Sequence, residues 1–224
     1  MLTVPQLHVP TLAIAGSTQR FPVRRIYCVG RNYADHAREM GGDPGREQPF
    51  FFGKPADAVV GSGRLPFPGR TAELHHEVEL VVALHGRGAN VAVNDAAAMI
   101  FGSAVGIDLT RRDLQAEAKK NGRPWDMAKG FDHSAPIGPI RPGIPPADGL
   151  ISLSINGQMR QNGDLRNMIW SVVEIIAALS GYLELAPGDL IFTGTPAGVG
   201  PIKRGETVRG MIAELEPIEI TFEE

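Results

Sequence analysis

A strand-rich α+β fold is predicted by three features of this 224-residue chain. Its 27 glycines and 18 prolines multiply turns and disfavour a helical bundle. The run LHHEVELVVAL, residues 74–84, has the branched apolar content of a buried strand. In LISLSINGQMRQNG two strand-like runs meet at Asn156-Gly157, the preferred two-residue hairpin turn. Helical segments between such runs complete the α+β reading.

Residues 1–23 read as an irregular or edge segment, and 24–224 as a single domain, because no composition break divides it. RRIYCVG is a short strand stopped by glycine. RNYADHAREMG is a helix, with Ala34, Ala37 and Met40 at helical spacing and Gly41 as its end. GGDPGREQP is a loop, PFFFGKP an aromatic strand stopped by proline, and 56–72 turns and short extended pieces. After the 74–84 strand, NVAVNDAAAMIFGSAVG predicts a helix capped by Asn94. GIDLT is a short strand and RRDLQAEAKKNG a charged helix ended by glycine. The stretch from PWDMAKG to PPADG is a long irregular connection, of the length that usually has a functional reason. MIWSVVEIIAALSGY is a largely apolar helix, DLIFTGTPAGVG a buried strand entering a glycine-rich loop, and VRGMIAELEPIEITFEE two closing strands.

A formal charge of −3 gives no reason to expect nucleic acid or an anionic membrane as partner. The single cysteine, Cys28, excludes an internal disulfide framework and reads as core. No apolar run reaches the roughly 18 residues of a membrane span, and no secretory pattern opens the chain. Cytoplasmic residence is the expectation.

Glu77 and Glu79 lie on one face of the 74–84 strand, because side chains alternate. A wet strand face carrying acids is one explanation. Against it, Val81 completes that face, and adjacent like charges repel unless neutralised. A divalent cation with hard oxygen ligands is the simplest neutraliser. Asp108, in the otherwise apolar AVGIDL, is a third candidate ligand, since a charge there is costly unless paired. His36 and Glu39 are three apart on one helix face, so they are either a surface pair or an imidazole oriented for proton abstraction. Lys129 and Lys54 sit among apolar and turn residues, where a lysine can neutralise an anionic substrate group or merely snorkel. FTGTPAGVG lacks the phosphate-loop lysine, yet Thr195 and its neighbouring amides suit a small anion. His133 occupies the long loop and keeps an open role.

These same stretches carry a resemblance. CVGRNYADHAREMG, PFFFGKP, LHHEVELVV, GIDLTRRDLQ, GRPWDMAKGFDHSAP, INGQMRQ, MIWS and GDLIFTGTPAGVGP resemble the fumarylacetoacetate hydrolase family, in its short single-domain form. Within that family the likeness is nearest to fumarylpyruvate hydrolases of gentisate catabolism. The resemblance implies a mixed β-sheet roll with peripheral helices, commonly a homodimer. It implies Glu77, Glu79 and Asp108 as ligands of Mg2+ or Mn2+, His36 and Glu39 as a water-activating dyad, and Lys129 as an active-site lysine. It places Gln115 beside the substrate, and Arg31, Tyr33, Lys54 and Thr195 in motifs near the pocket. The implied substrate is a small 2-oxo acid, most specifically fumarylpyruvate, cleaved to fumarate and pyruvate. Acetylpyruvate hydrolysis, oxaloacetate decarboxylation, and isomerisation or hydration of a related acid use the same machinery. Arg31, Arg38, Arg111 and Arg123 are the candidates for a distal carboxylate.

Overall fold

The computed structural model describes residues 4–6, 8–39 and 47–224. Met40, Gly41 and most of the GGDPGREQP loop lie outside these residues, so the end expected for the first helix does too. Two sheets dominate. One has six strands in the order Arg141–Pro142, Ile100–Ile107, Val78–Leu84, Asp189–Phe192, Arg25–Gly30, Phe50–Lys54. It is mixed: Asp189–Phe192 runs parallel to Arg25–Gly30 and antiparallel to Val78–Leu84. The other has five strands in the order Gln158–Asp164, Leu150–Ile155, Thr207–Ile212, Ile218–Phe222, Gly63–Leu65. Helices Arg112–Lys120 and Val172–Ser180 lie outside the sheets, giving the mixed α+β roll that was expected.

The Val78–Leu84 strand is buried throughout and divides the core. Val78, Leu80, Val82 and Leu84 pack into a cluster with Ile151, Leu153, Val208, Ile212 and Ile220 of the second sheet. Val81 and Ala83 point the other way, into a cluster with Ile26, Cys28, Leu190 and Phe192. Period-two alternation therefore operates as read, but both faces are interior. Full burial of side chains of this size contributes about 1.5–3 kcal/mol each, so the strand is among the most strongly held elements. Leu12 and Phe21, from the N-terminal hairpin pairing Thr11–Ala13 with Arg20–Pro22, complete the second cluster. Cys28 is buried and free.

Two expectations fail locally. The predicted 74–84 strand is two strands, Leu74–His76 in a small three-stranded sheet and Val78–Leu84 in the large one. Glu77 occupies the break between them. The helix expected from Asn94 onward is a single turn, Val93–Ala96, entered through Ala92, after which Ile100–Ile107 is a strand. A short apolar run is ambiguous between buried helix and strand, and tertiary pairing decides it here. Gly106 marks that pairing: a Cβ there would lie 2.4 Å from Val81 Cγ2. The Asn156-Gly157 turn forms as expected, both residues having positive φ.

Candidate active site

The antiparallel register sets the carboxylates together. Val78 pairs with Ile107, so the residues just beyond, Glu77 and Asp108, meet; Asp108 N donates to Glu77 O at 2.8 Å. Glu79, two residues along, projects from the same side. Ligand-capable oxygens of Glu77, Glu79 and Asp108 all lie within 4.8 Å of one another, and all three residues are buried. Sequence spacing alone could not supply this convergence, because it depends on which strand pairs with which.

Three cations answer two of the three acids. Lys129 Nζ bridges Glu77 Oε2 at 2.7 Å and Asp108 Oδ2 at 2.6 Å. Arg112 pairs with Glu77 Oε1. Lys54 Nζ stands 2.8 Å from Asp108 Oδ1 without a well-directed hydrogen bond, and donates to the carbonyls of Leu109 and Lys129 at 3.2 and 2.5 Å. Lys54 is thus a fully covered brace beneath the cluster, not a part of the pocket wall. Burial alone would raise the pKa of Glu77, but Lys129 and Arg112 outweigh it and hold the carboxyl below its ordinary range. Glu79 goes the other way: burial, then the charges of Asp108 and Glu77, push its pKa well up. Its hydrogen-bond donor is Gly194 N at 2.6 Å. Lys129 resists burial's downward push through Asp108 and Glu77, so its pKa is raised and it stays cationic.

The donor set fits a divalent ion. Oxygen-only carboxylate ligands suit Mg2+ or Mn2+, and Glu79, forced toward protonation as the third acid of the cluster, gains a counter-charge if the ion replaces that proton.

His36, on the helix Ala34–Glu39, lines the same cleft as Glu77 and Glu79. Its Nδ1 is 3.1 Å from Glu39 Oε2. A carboxylate only accepts, so Nδ1 carries the hydrogen, and in the neutral ring Nε2 then keeps a basic lone pair. Gly198 N donates to both Glu39 oxygens at 3.1 and 3.2 Å. One loop, 193–198, therefore holds the acid behind the histidine and, through Gly194 N, the carboxylate of Glu79. Gly194 has φ 98°, and a Cβ there would come within 2.6 Å of Asn32 Cβ, so no other residue fits.

Gln161, unremarked in the sequence, braces that loop. Its Oε1 accepts from Val78 N at 3.1 Å and from His76 Nδ1 at 2.9 Å, while its Nε2 donates to Thr195 Oγ1 at 2.8 Å and Pro196 O at 2.9 Å. Thr195 in turn donates to Val78 O at 2.8 Å, so its hydroxyl hydrogen is committed, and the residue lines the cleft. Arg31, Gln115 and Lys129 also line the cleft, together with Phe50, Phe52, Trp125 and Lys119, around about 430 Å3 of empty space including the open mouth. Tyr33 does not: it faces a separate cleft with Asp35, Asn162 and Pro196. His133 lines neither.

A buried cluster of acids and cations, faced by a histidine–carboxylate pair on a mixed β-roll, defines a site built for acid–base chemistry on a cation-bound ligand. The chain belongs to the fumarylacetoacetate hydrolase family: the family model for the fumarylacetoacetate (FAA) hydrolase C-terminal region matches residues 25–223. A crystal structure of fumarylpyruvate hydrolase from Pseudomonas aeruginosa, in complex with Mn2+ and pyruvate, superposes with a TM-score of 0.95 at 49% identity, covering 100% of this chain and 99% of that one. Fumarylpyruvate hydrolase of a Ralstonia species is 42% identical over 182 residues, 80% of this chain and 95% of its own length. The human mitochondrial oxaloacetate tautomerase FAHD1 is 42% identical over 205 residues, 89% of this chain and 90% of its own length.

Proposed function

We propose that this protein is a metal-dependent acylpyruvate hydrolase that cleaves the carbon–carbon bond of a 2,4-diketo acid, with fumarylpyruvate giving fumarate and pyruvate. The observation that carries the reading is one cleft lined both by Glu77 and Glu79 of the acid cluster and by His36 of the His36–Glu39 pair. The relative that binds Mn2+ and pyruvate supports both halves of it. Glu77, Glu79 and Asp108 would hold Mg2+ or Mn2+; when bound, the ion supplies Lewis-acid polarisation of the 2-oxo acid and charge neutralisation.

The chain's own groups divide the remaining work. His36 Nε2 takes a proton from water, and Glu39 holds the imidazole in the required tautomer and stabilises it once charged. The hydroxide formed adds to the distal ketone carbon. The bond from that carbon to the methylene then breaks, its electron pair passing to the pyruvyl half, which is protonated to pyruvate. Lys129, kept cationic by its two carboxylates, stands where negative charge grows in this step. Gln115 and Thr195 line the same cleft and orient the substrate.

Tautomerisation of oxaloacetate is the second reading, supported by the human relative. It uses the same site and base with no attacking water. Steady-state comparison of fumarylpyruvate, acetylpyruvate and oxaloacetate, with Mg2+ and with EDTA, separates the two. The hydrolase reading expects the largest kcat/KM for an acylpyruvate and its loss in EDTA. A dominant kcat/KM for oxaloacetate overturns it.

A further inference from the structure

The distal end of the substrate also has a partner, on the hydrolase reading just given. Four arginines were candidates for a distal carboxylate, and three are otherwise engaged. Arg38 is exposed and lies 2.5 Å from Asp35. Arg123, also exposed, is 3.5 Å from Glu117. Arg111 stacks on Phe131 at 4.3 Å and donates to Met127 O at 3.2 Å. None of the three lines the cleft, whereas Arg31 does. Arg31 also holds φ 61°, a left-handed backbone that costs a non-glycine residue energy and recurs at ligand sites.

A second cation joins it. On the helix Arg112–Lys120, spacings of three and four put Arg112, Gln115 and Lys119 on one face, and all three line the cleft. Arg112 is committed to Glu77 and, at 2.6 Å, to Gln115. Lys119 lies over the Trp125 ring, 5.2 Å from its centre. Neither Arg31 nor Lys119 has a carboxylate partner among the described residues. Partial burial, then repulsion from Arg112 and Arg31, pushes the Lys119 pKa down. Cations gathered in a cleft without a counter-charge favour an anionic ligand. Both are exposed while the acids are buried, so this charge sits at the outer end. Lys129 lies over the Phe52 ring, 5.1 Å from its centre, as Lys119 does over Trp125, and Trp125 is edge-on to Phe52 and Phe50 at 5.7 and 5.4 Å, so an aromatic wall joins the two ends.

We propose that Arg31 and Lys119 form a cationic clamp at the mouth of the cleft that takes the distal carboxylate of the acyl half, selecting dicarboxylate acylpyruvates over those with a neutral acyl group. The trans alkene of a fumaryl group keeps its carboxylate and ketone apart, so one end can reach the inner cations while the other meets the clamp. The flat ene segment then lies along the aromatic wall.

The test is the ratio of kcat/KM for fumarylpyruvate to that for acetylpyruvate, in the parent and in Arg31→Asn, Lys119→Gln and Lys119→Glu. Asparagine tolerates the left-handed backbone, and Lys119 is exposed on its helix, so these variants keep the fold. The ratio should fall about 10-fold for each cation removed, the worth of one hydrogen bond to a charged group, and further for Lys119→Glu. Loss of both activities in parallel, with the ratio preserved, overturns the clamp. If the parent hydrolyses neither compound, the hydrolase reading fails independently. Calorimetric binding of fumarate in the presence of Mn2+ then decides the clamp: weaker binding by the variants supports it, and equal binding overturns it.

Discussion

The inner end of the cleft holds three acids and three cations and the outer end two cations, and the two ends treat their charges differently. At the inner end, buried Glu77 and Asp108 are cross-linked to Lys54, Lys129 and Arg112, and buried Glu79 accepts from Gly194 N. At the outer end, Arg31 and Lys119 line the wall with no carboxylate partner among the described residues. A buried charge must be compensated for the chain to fold, whereas an exposed one can wait for a ligand. The inner end is therefore preorganised for chemistry and the outer end is available for selection.

The sharpest way to break this contrast is to neutralise a ligand at the inner end. Asp108→Asn keeps the shape but removes a charge facing two lysines, and should lose more than the roughly 10–100-fold in Mn2+ affinity that outer-shell changes cost. Calorimetric Mn2+ titration checks it; unchanged affinity would mean the carboxylates are a structural ion-pair network only. Gln161→Leu should act less, because Gln161 touches the loop and not the reacting groups. It leaves Val78 N and Pro196 O without their partner, at about 1–3 kcal/mol for each stranded group, and lets the Gly194 and Gly198 amides drift. A fall in kcat near 10-fold with little change in Mn2+ affinity is expected, alongside a lower urea midpoint. A kcat equal to the parent's would show that the loop needs no brace.

The smallest effect lies beside the cluster. Burial, then Arg112, pushes the His75 pKa down to about 4 from its ordinary 6.5. Folding therefore favours the neutral ring, and the unfolded chain binds the extra proton between those values. This contribution is complete above pH 6.5 and is lost as pH falls toward 4. Urea unfolding at pH 7 and pH 5 should show a smaller loss of stability in His75→Gln than in the parent; identical losses would exclude His75 as a source.

The strands were largely legible in the sequence, because alternation, glycine stops and the Asn-Gly turn are local signals. So was the pairing of Glu77 with Glu79, since period two fixes it. The break at Glu77 was not, because a chain leaving one sheet for another changes no local periodicity. The Ile100–Ile107 strand was misread because MIFGSAVG suits either element until Val78–Leu84 pairs with it. Lys54 reads as a pocket lysine, yet its position under Asp108 depends on Leu109 and Lys129 far along the chain. Gln161 closes the INGQMRQ stretch but was not singled out: it sits in the polar run QMRQNGD, where nothing marks one residue as buried. Lys119 could have been found by its spacing from Gln115 once that helix face was assigned to the cleft.

Ion binding and water activation use different residues of one cleft and can be separated. His36→Ala measures this directly, with turnover of fumarylpyruvate and Mn2+ affinity determined on the same sample. Turnover should fall by about 100-fold or more, the usual contribution of a general base, while Mn2+ affinity stays within about 2-fold. Turnover equal to the parent's would contradict this separation.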